Sequence, residues 1–226
     1  MTTGLLLSSA RRTAALLMET ALDLVFPPVC IGCGRIDVAW CERCDAELSA
    51  LPLLGERPAP APILALAATH NHDGLIMEAV QALKYERAHS LARPLAHRLY
   101  NCLQQQKWTI DMIAPIPLHI SRLKVRGYNQ AQLLAEELAQ MSDLPLAATG
   151  LKRQRSTTSQ VGLTREQRQA NVRGAFSADP SIVSGLRLLL IDDVLTTGAT
   201  LQACAEAVLT AGAAAVYGLT VTAARA

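Results

Sequence analysis

Aromatic side chains are scarce in this 226-residue chain: Phe, Trp and Tyr together make up 4% of it, with two Phe and two Trp. Few rings are therefore available for a nucleic-acid strand to stack its bases on. Net charge is equally slight at +2, which gives no bulk argument for a polyanion or a membrane surface as partner. No apolar run reaches the ~20 residues of a membrane span, and internal repeats and low-complexity segments are absent. A secretory leader fits poorly: Arg11 and Arg12 precede an apolar run, but Glu19 and Asp23 interrupt it and no small-residue cleavage site follows. The expectation is a cytoplasmic protein whose first residues form an amphipathic helix, with Leu16, Leu17, Thr20 and Leu24 on one face. What is present is a 50% hydrophobic content, enough for one sizeable α/β domain plus a small appendage.

Charge is unevenly spread. Residues 119–173 hold nine Lys and Arg against four Asp and Glu, so an anionic ligand is expected there. Four prolines and a glycine in "LPLLGERPAPAPI", residues 51–63, argue against regular structure. They predict a linker between an N-terminal module, residues 1–55, and a main domain, residues 63–226. Beyond it, "ILALAAT" predicts a strand, followed by helices at about 74–87 and 90–106. In the second helix Leu91, Leu95, Leu99 and Cys102 share a face, making Cys102 a small core residue. "IDMIAPIPL" predicts a buried strand stopped by prolines, and "NQAQLLAEELAQM" a helix. "LRLLLID", "TLQACAEAVLTAG" and "AAVYGLTVTA" supply strand, helix and strand. Such alternation implies a mostly parallel sheet with helices on both faces, binding ligands beyond the carboxyl ends of its strands.

At that edge stands "LLLIDDVLTTGAT", residues 188–200. Asp192 and Asp193 end the buried strand, and Thr196, Thr197, Gly198, Ala199 and Thr200 lead into a helix. Unpaired N–H groups at a helix start, a glycine that lets backbone close on an oxygen, and hydroxyl donors suit a phosphate. Two carboxylates would repel phosphate but accept hydrogen bonds from a vicinal diol. A sugar carrying two free hydroxyls and a phosphate meets both demands, and ribose 5-phosphate is the commonest.

This stretch resembles the phosphoribosyl-pyrophosphate (PRPP) signature of type I phosphoribosyltransferases. "LKYERAHSLARPLAHRL", "PIPLHISRLKVRGYNQAQLLAEELA" and "RQRSTTSQVGLTREQRQANVRGAF", with a four-cysteine N-terminus, are similar to the ComF family, which includes proteins called GntX. Tyr128 departs from the usual Phe of "RGFNQ". The resemblance implies a type I phosphoribosyltransferase fold with Asp192 and Asp193 on the ribose hydroxyls and residues 196–200 on the 5′-phosphate. "PIPLHISR", with Pro117, Leu118 and Arg122, would be the pyrophosphate loop, and residues 153–173 would fall where these enzymes carry a mobile loop. Displacement at C1 releases a polyanion that Arg122, Lys124, Arg126, Arg165 and Arg168 would stabilise, together with a magnesium ion.

Cys30, Cys33, Cys41 and Cys44 form two C-x-x-C knuckles, "CIGC" and "CERC", seven residues apart. Two knuckles make a closed tetrahedral thiolate set, the chemistry of a structural zinc. Redox-active pairs share the spelling, but four thiols so close in a cytoplasmic chain favour metal. His70, His72, His89, His97 and His119 show no ligand spacing and read as surface or packing residues.

Three functions remain open on these residues. One is PRPP-dependent transfer of a phosphoribosyl group to an unidentified acceptor. Another, implied by the resemblance to a family associated with natural competence, is a factor for DNA uptake that contacts single-stranded DNA through the knuckles and residues 153–173, alongside uptake-machinery proteins. The third is a regulator that senses PRPP.

Overall fold

The computed structural model describes residues 27–155 and 165–225. The helix expected within residues 1–26 lies outside them. Near the four cysteines, helix α1 (Glu42–Ser49) is followed by strand β1 (Gly55–Arg57) and β2 (Ala65–Asn71). Then come α2 (Gly74–Tyr85), a 3-10 turn (His89–Leu91), α3 (Ala92–Gln104), β3 (Met112–Pro115), α4 (Ile120–Arg126) and α5 (Gln130–Ser142). The chain continues through β4 (Leu151–Arg153), α6 (Arg165–Val172), β5 (Phe176–Ala178), α7 (Pro180–Val183), β6 (Arg187–Leu195), α8 (Ala199–Thr210) and β7 (Ala215–Ala223).

Five strands form one sheet in the order β1-β2-β7-β6-β3, parallel throughout except for the antiparallel edge strand β1, while β4 and β5 make a separate antiparallel pair. The expectation that residues 51–63 lack regular structure is therefore corrected: Gly55–Arg57, inside the proline-rich stretch, pairs with Leu66–Ala68. An edge strand tolerates this composition because half of its backbone groups have no neighbour to satisfy.

Both faces of the sheet are covered, which explains the unbroken aliphatic runs. Side chains alternate across a strand. Leu189 and Ile191 enter one core with residues of α2, α3 and α5, whereas Leu188 and Leu190 enter the other with Leu201, Cys204 and Val208 of α8. Leu48 of α1 is buried in the first core, and Cys102 is buried there as expected. Helices α2 and α3 are shorter than their apolar spacing suggested, because the chain breaks at Glu86–Ala88, with Arg87 at φ 57°.

Candidate functional site

The same alternation that builds the core decides what the acid pair does. Strand β6 does not stop before the acids but runs through both to Leu195. By parity Asp193 continues the face of Leu189 and Ile191, toward α2, and Asp192 the opposite face, toward α8. Lys84 of α2 meets Asp193, its Nζ 2.8 Å from Oδ1. Asp193 is only 4% exposed, yet it lines the same cleft as Asp192, with Lys84 beside it, so the two acids differ in burial and partner. Asp192 is half-buried, and its Oδ1 accepts from the Asp193 N–H at 2.9 Å. Burial, then the neighbouring Asp193 carboxylate, push Asp192 up to about 7.

Around this pair lies a cleft of about 980 Å³. Thr196, Gly198, Ala199 and Thr200 line one wall, at the N-terminus of α8. Pro117, Leu118, Arg122 and Arg126 line another, and Arg153 and His72 complete it. Thr197 is the loop residue that does not line the cleft; its Oγ1 lies 3.4 Å from the Ala199 N–H. Lys124 is exposed and does not line the cleft either.

Gly198 has two reasons to be glycine. Its φ is +75°, and a Cβ there would lie 3.1 Å from Pro60 Cγ, so the proline-rich stretch backs the loop. Gly198→Ala is expected to cost about 1–3 kcal/mol of stability, read as a lowered melting temperature, and to displace the phosphate-type donors of the loop.

Arg153, the first residue of the basic segment expected at the position of a mobile loop, lines the cleft, its guanidinium 5.2 Å from the Phe176 ring centroid. Burial, then the nearby Arg122 charge, lower its pKa, while Cys204 and Asp192 act in the opposite direction. Arg155 instead donates to the carbonyls of Asn171 and Arg173 at 3.2 and 2.8 Å. Residues 156–164 and the side chains of Arg165 and Arg168 fall outside the described residues; part of the expected loop is helix α6. Arg126 donates to Gln130 Oε1 and lies 5.3 Å from the Tyr85 ring centroid.

Lys84 and Arg87 are charged cleft residues that the sequence reading passed over, and His72, read there as a surface or packing residue, lines the cleft too. A signal for Lys84 existed: it continues the buried ridge Ile76, Val80 at i+4, where an ammonium needs a partner. His72 Nδ1 bonds Thr222 Oγ1 at 2.8 Å; burial, then the Lys84 charge, lower its pKa, keeping the ring neutral.

The four knuckle thiols gather in space, with all Sγ atoms within 4.8 Å of one another. Tetrahedral coordination at a Zn–S distance of about 2.3 Å requires sulfurs roughly 3.8 Å apart, so the set fits a metal ion. Burial alone would raise the Cys30 thiol, but backbone N–H groups of Cys33, Cys41 and Gly32 bring it down to about 6. Cys41 is the N-cap of α1 and Cys44 lies on it, so the cluster anchors that helix. The remaining histidines pack or cap: His89 meets the Tyr128 ring edge-on, and His119 caps α4.

Residues 81–226 match the family model of the phosphoribosyl transferase domain. The chain is 30% identical over 195 residues to DNA utilization protein YhgH of Salmonella typhimurium, covering 83% of this chain and 86% of that protein. It is 35% identical over 130 residues to competence protein F of Haemophilus influenzae, an alignment that spans 54% of this chain and 57% of that protein's length. Competence protein ComFC of Bacillus subtilis is 36% identical over 104 residues, 46% of this chain and 40% of that protein. With knuckles, acid pair and hydroxyl loop arranged on a parallel sheet, the chain belongs to the ComF family and carries a phosphoribosyl transferase domain.

Proposed function

We propose that the cleft binds PRPP with magnesium and transfers its phosphoribosyl group to an acceptor. The observation that carries this reading is the convergence of Asp192, the α8 N-terminal loop and the arginine-bearing Pro117–Arg126 wall on one cleft. The 5′-phosphate sits against residues 196–200, where backbone N–H groups and hydroxyls donate. Asp192, ionised, accepts from a ribose hydroxyl. Arg122 and Arg153 face the pyrophosphate and stabilise the charge it gains as the bond to C1 lengthens. Magnesium would be held chiefly by pyrophosphate oxygens, which is how Mg²⁺ usually meets phosphates. Arg165 and Arg168 belong to the segment expected to close over the reacting centre. Zinc is the ion assigned to Cys30, Cys33, Cys41 and Cys44. The test is incubation of the protein with labelled PRPP, magnesium and a mixture of cell metabolites. Release of pyrophosphate above the rate of a variant lacking the Asp192 carboxylate supports transfer; its absence with every fraction reduces the cleft to a binding site.

A second reading, contact with single-stranded DNA, has one observation in its favour. Helix α4 buries no residue; its Val125 and the neighbouring Tyr85 of α2 are 86% and 73% exposed and line the cleft with Arg122 and Arg126, and Lys124 is exposed on the same helix. The names of the relatives, a competence protein and a DNA utilization protein, point the same way. If this surface binds a strand, affinity falls steeply with salt, and Lys124→Ala with Arg126→Ala lowers the slope of log affinity on log salt by about 0.7 per lost phosphate contact. Binding undetectable at low salt, or unchanged in the double variant, removes this reading.

A further inference from the structure

We propose that Lys84 is a positioning residue of the acid pair: both acids line the cleft, but Lys84 holds Asp193 in an ion pair, so that Asp192 is the carboxylate left without a salt-bridge partner to meet the ligand. This rests on the PRPP reading of the cleft and deepens it, because it makes the two acids unequal partners of the sugar. The geometry behind it is independent of any ligand. Lys84 Nζ and Asp193 Oδ1 are 2.8 Å apart with side chains 17% and 5% exposed, so the pair is largely dry. Asp193 Oδ2 is buried without a hydrogen-bond partner among the described residues. The strand pleat then sends Asp192 to the other face, where Arg153 and Cys204 are its charged and titratable neighbours.

Among the described residues, the titratable groups that interact with the pair are Lys84 from α2, His72 after β2, Arg153 at the end of β4 and Cys204 from α8, and Arg87, Arg122 and Arg126 line the same cleft. Among these Lys84 and Arg153 favour the ionised form of Asp192, and Asp193 opposes it. Neutralising Lys84 removes one favourable charge and leaves a buried carboxylate on β6 uncompensated. A ligand that needs ionised Asp192 then binds well only at higher pH. A merely structural lysine would not move that pH profile.

The experiment titrates PRPP with magnesium into wild type, Lys84→Met and Lys84→Arg from about pH 6 to about pH 9, with affinity read by calorimetry. Lys84→Met is expected to bind about tenfold more weakly near neutrality, with the deficit shrinking toward the alkaline end, and Lys84→Arg to recover most of the affinity. Ligand-free melting of Lys84→Met, Asp193→Asn and their combination is measured alongside. Each single change lowers the melting temperature, and the combination, which removes both charges, recovers most of the loss. Wild-type affinity and pH profile in Lys84→Met, or additive melting losses in the combination, overturn the inference. Should Lys84→Met fail to fold, Lys84→Arg and the combination carry the same test. A wild type that does not bind PRPP at any pH removes the reading of the cleft and this inference with it, an outcome separate from a binding wild type matched by its variants.

Discussion

Asp192→Asn weakens PRPP binding roughly tenfold to a hundredfold while the protein gains stability in the absence of ligand at alkaline pH. The first half follows from losing a charge-assisted acceptor, about 1.5–3 kcal/mol, at the one carboxylate that the strand pleat turns toward the α8 face. The amide keeps an acceptor oxygen for the Asp193 N–H but sets an NH₂ against hydroxyls that also donate. The second half follows from linkage. The folded protein raises Asp192 from the ordinary carboxylate value to about 7, burial being the first cause. A raised folded value contributes stability at pH below the unfolded value, and that contribution is lost as pH rises through about 7. Melting of wild type relative to Asp192→Asn should therefore decline from about pH 4 to about pH 7 and level off above it. Changing both acids together is expected to abolish binding, but it also leaves the Lys84 ammonium buried without its 2.8 Å partner, so the single substitution is the cleaner test.

Disrupting the zinc site proposed at the four thiols is the other change expected to have a large effect. Cys41→Ser with Cys44→Ser removes half of the thiolates, and elemental analysis should fall from one zinc per chain to none. Helix α1 loses its N-terminal anchor, and with it the position of Asp45, the residue after Cys44. Asp45 Oδ1 accepts from Trp40 Nε1 at 2.9 Å and from Arg98 Nη2 at 2.6 Å. Arg98 is 3% exposed, so freeing Asp45 strands a guanidinium in the core of the transferase domain. Breaking a buried pair costs about 3–5 kcal/mol. Because the Asp45 side chain is 40% exposed, the low end applies, about 3 kcal/mol. For a chain of this length that is a fall of roughly 6–12 °C in melting temperature. Asp45→Asn should reproduce much of the fall with the metal retained, separating the clamp from the ion. A double-cysteine variant that keeps its metal or its melting temperature contradicts the module's role.

Much of this was written in period and composition. Period-3.6 apolar spacing located the helices and continuous aliphatic runs the strands of the parallel sheet, and the hydroxyl loop announced a helix N-terminus at about residue 200, where α8 begins at Ala199. The thiol cluster followed from two knuckles that close locally. Contacts between distant segments were not legible. Nothing near residue 84 says that its ammonium meets Asp193, 109 positions on, although its place on an apolar ridge of α2 says that it needs some partner. Proline suggested that residues 51–63 lack structure, yet β2 offers Gly55–Arg57 an edge to pair with, and Pro60 braces Gly198. The two adjacent aspartates looked equivalent because their identity is the same; pleating makes them differ, and that becomes visible only once β6 is seen to run through both.

Calorimetric titration of the wild-type protein with PRPP and magnesium tests the central claim most directly. One saturable site per chain, competed by ribose 5-phosphate with pyrophosphate and lost when Gly198 and Asp192 are changed together, is the result that the cleft geometry requires. Absence of binding, or binding that persists in that double variant, would mean that the acid pair and the hydroxyl loop do not hold a phosphoribosyl group.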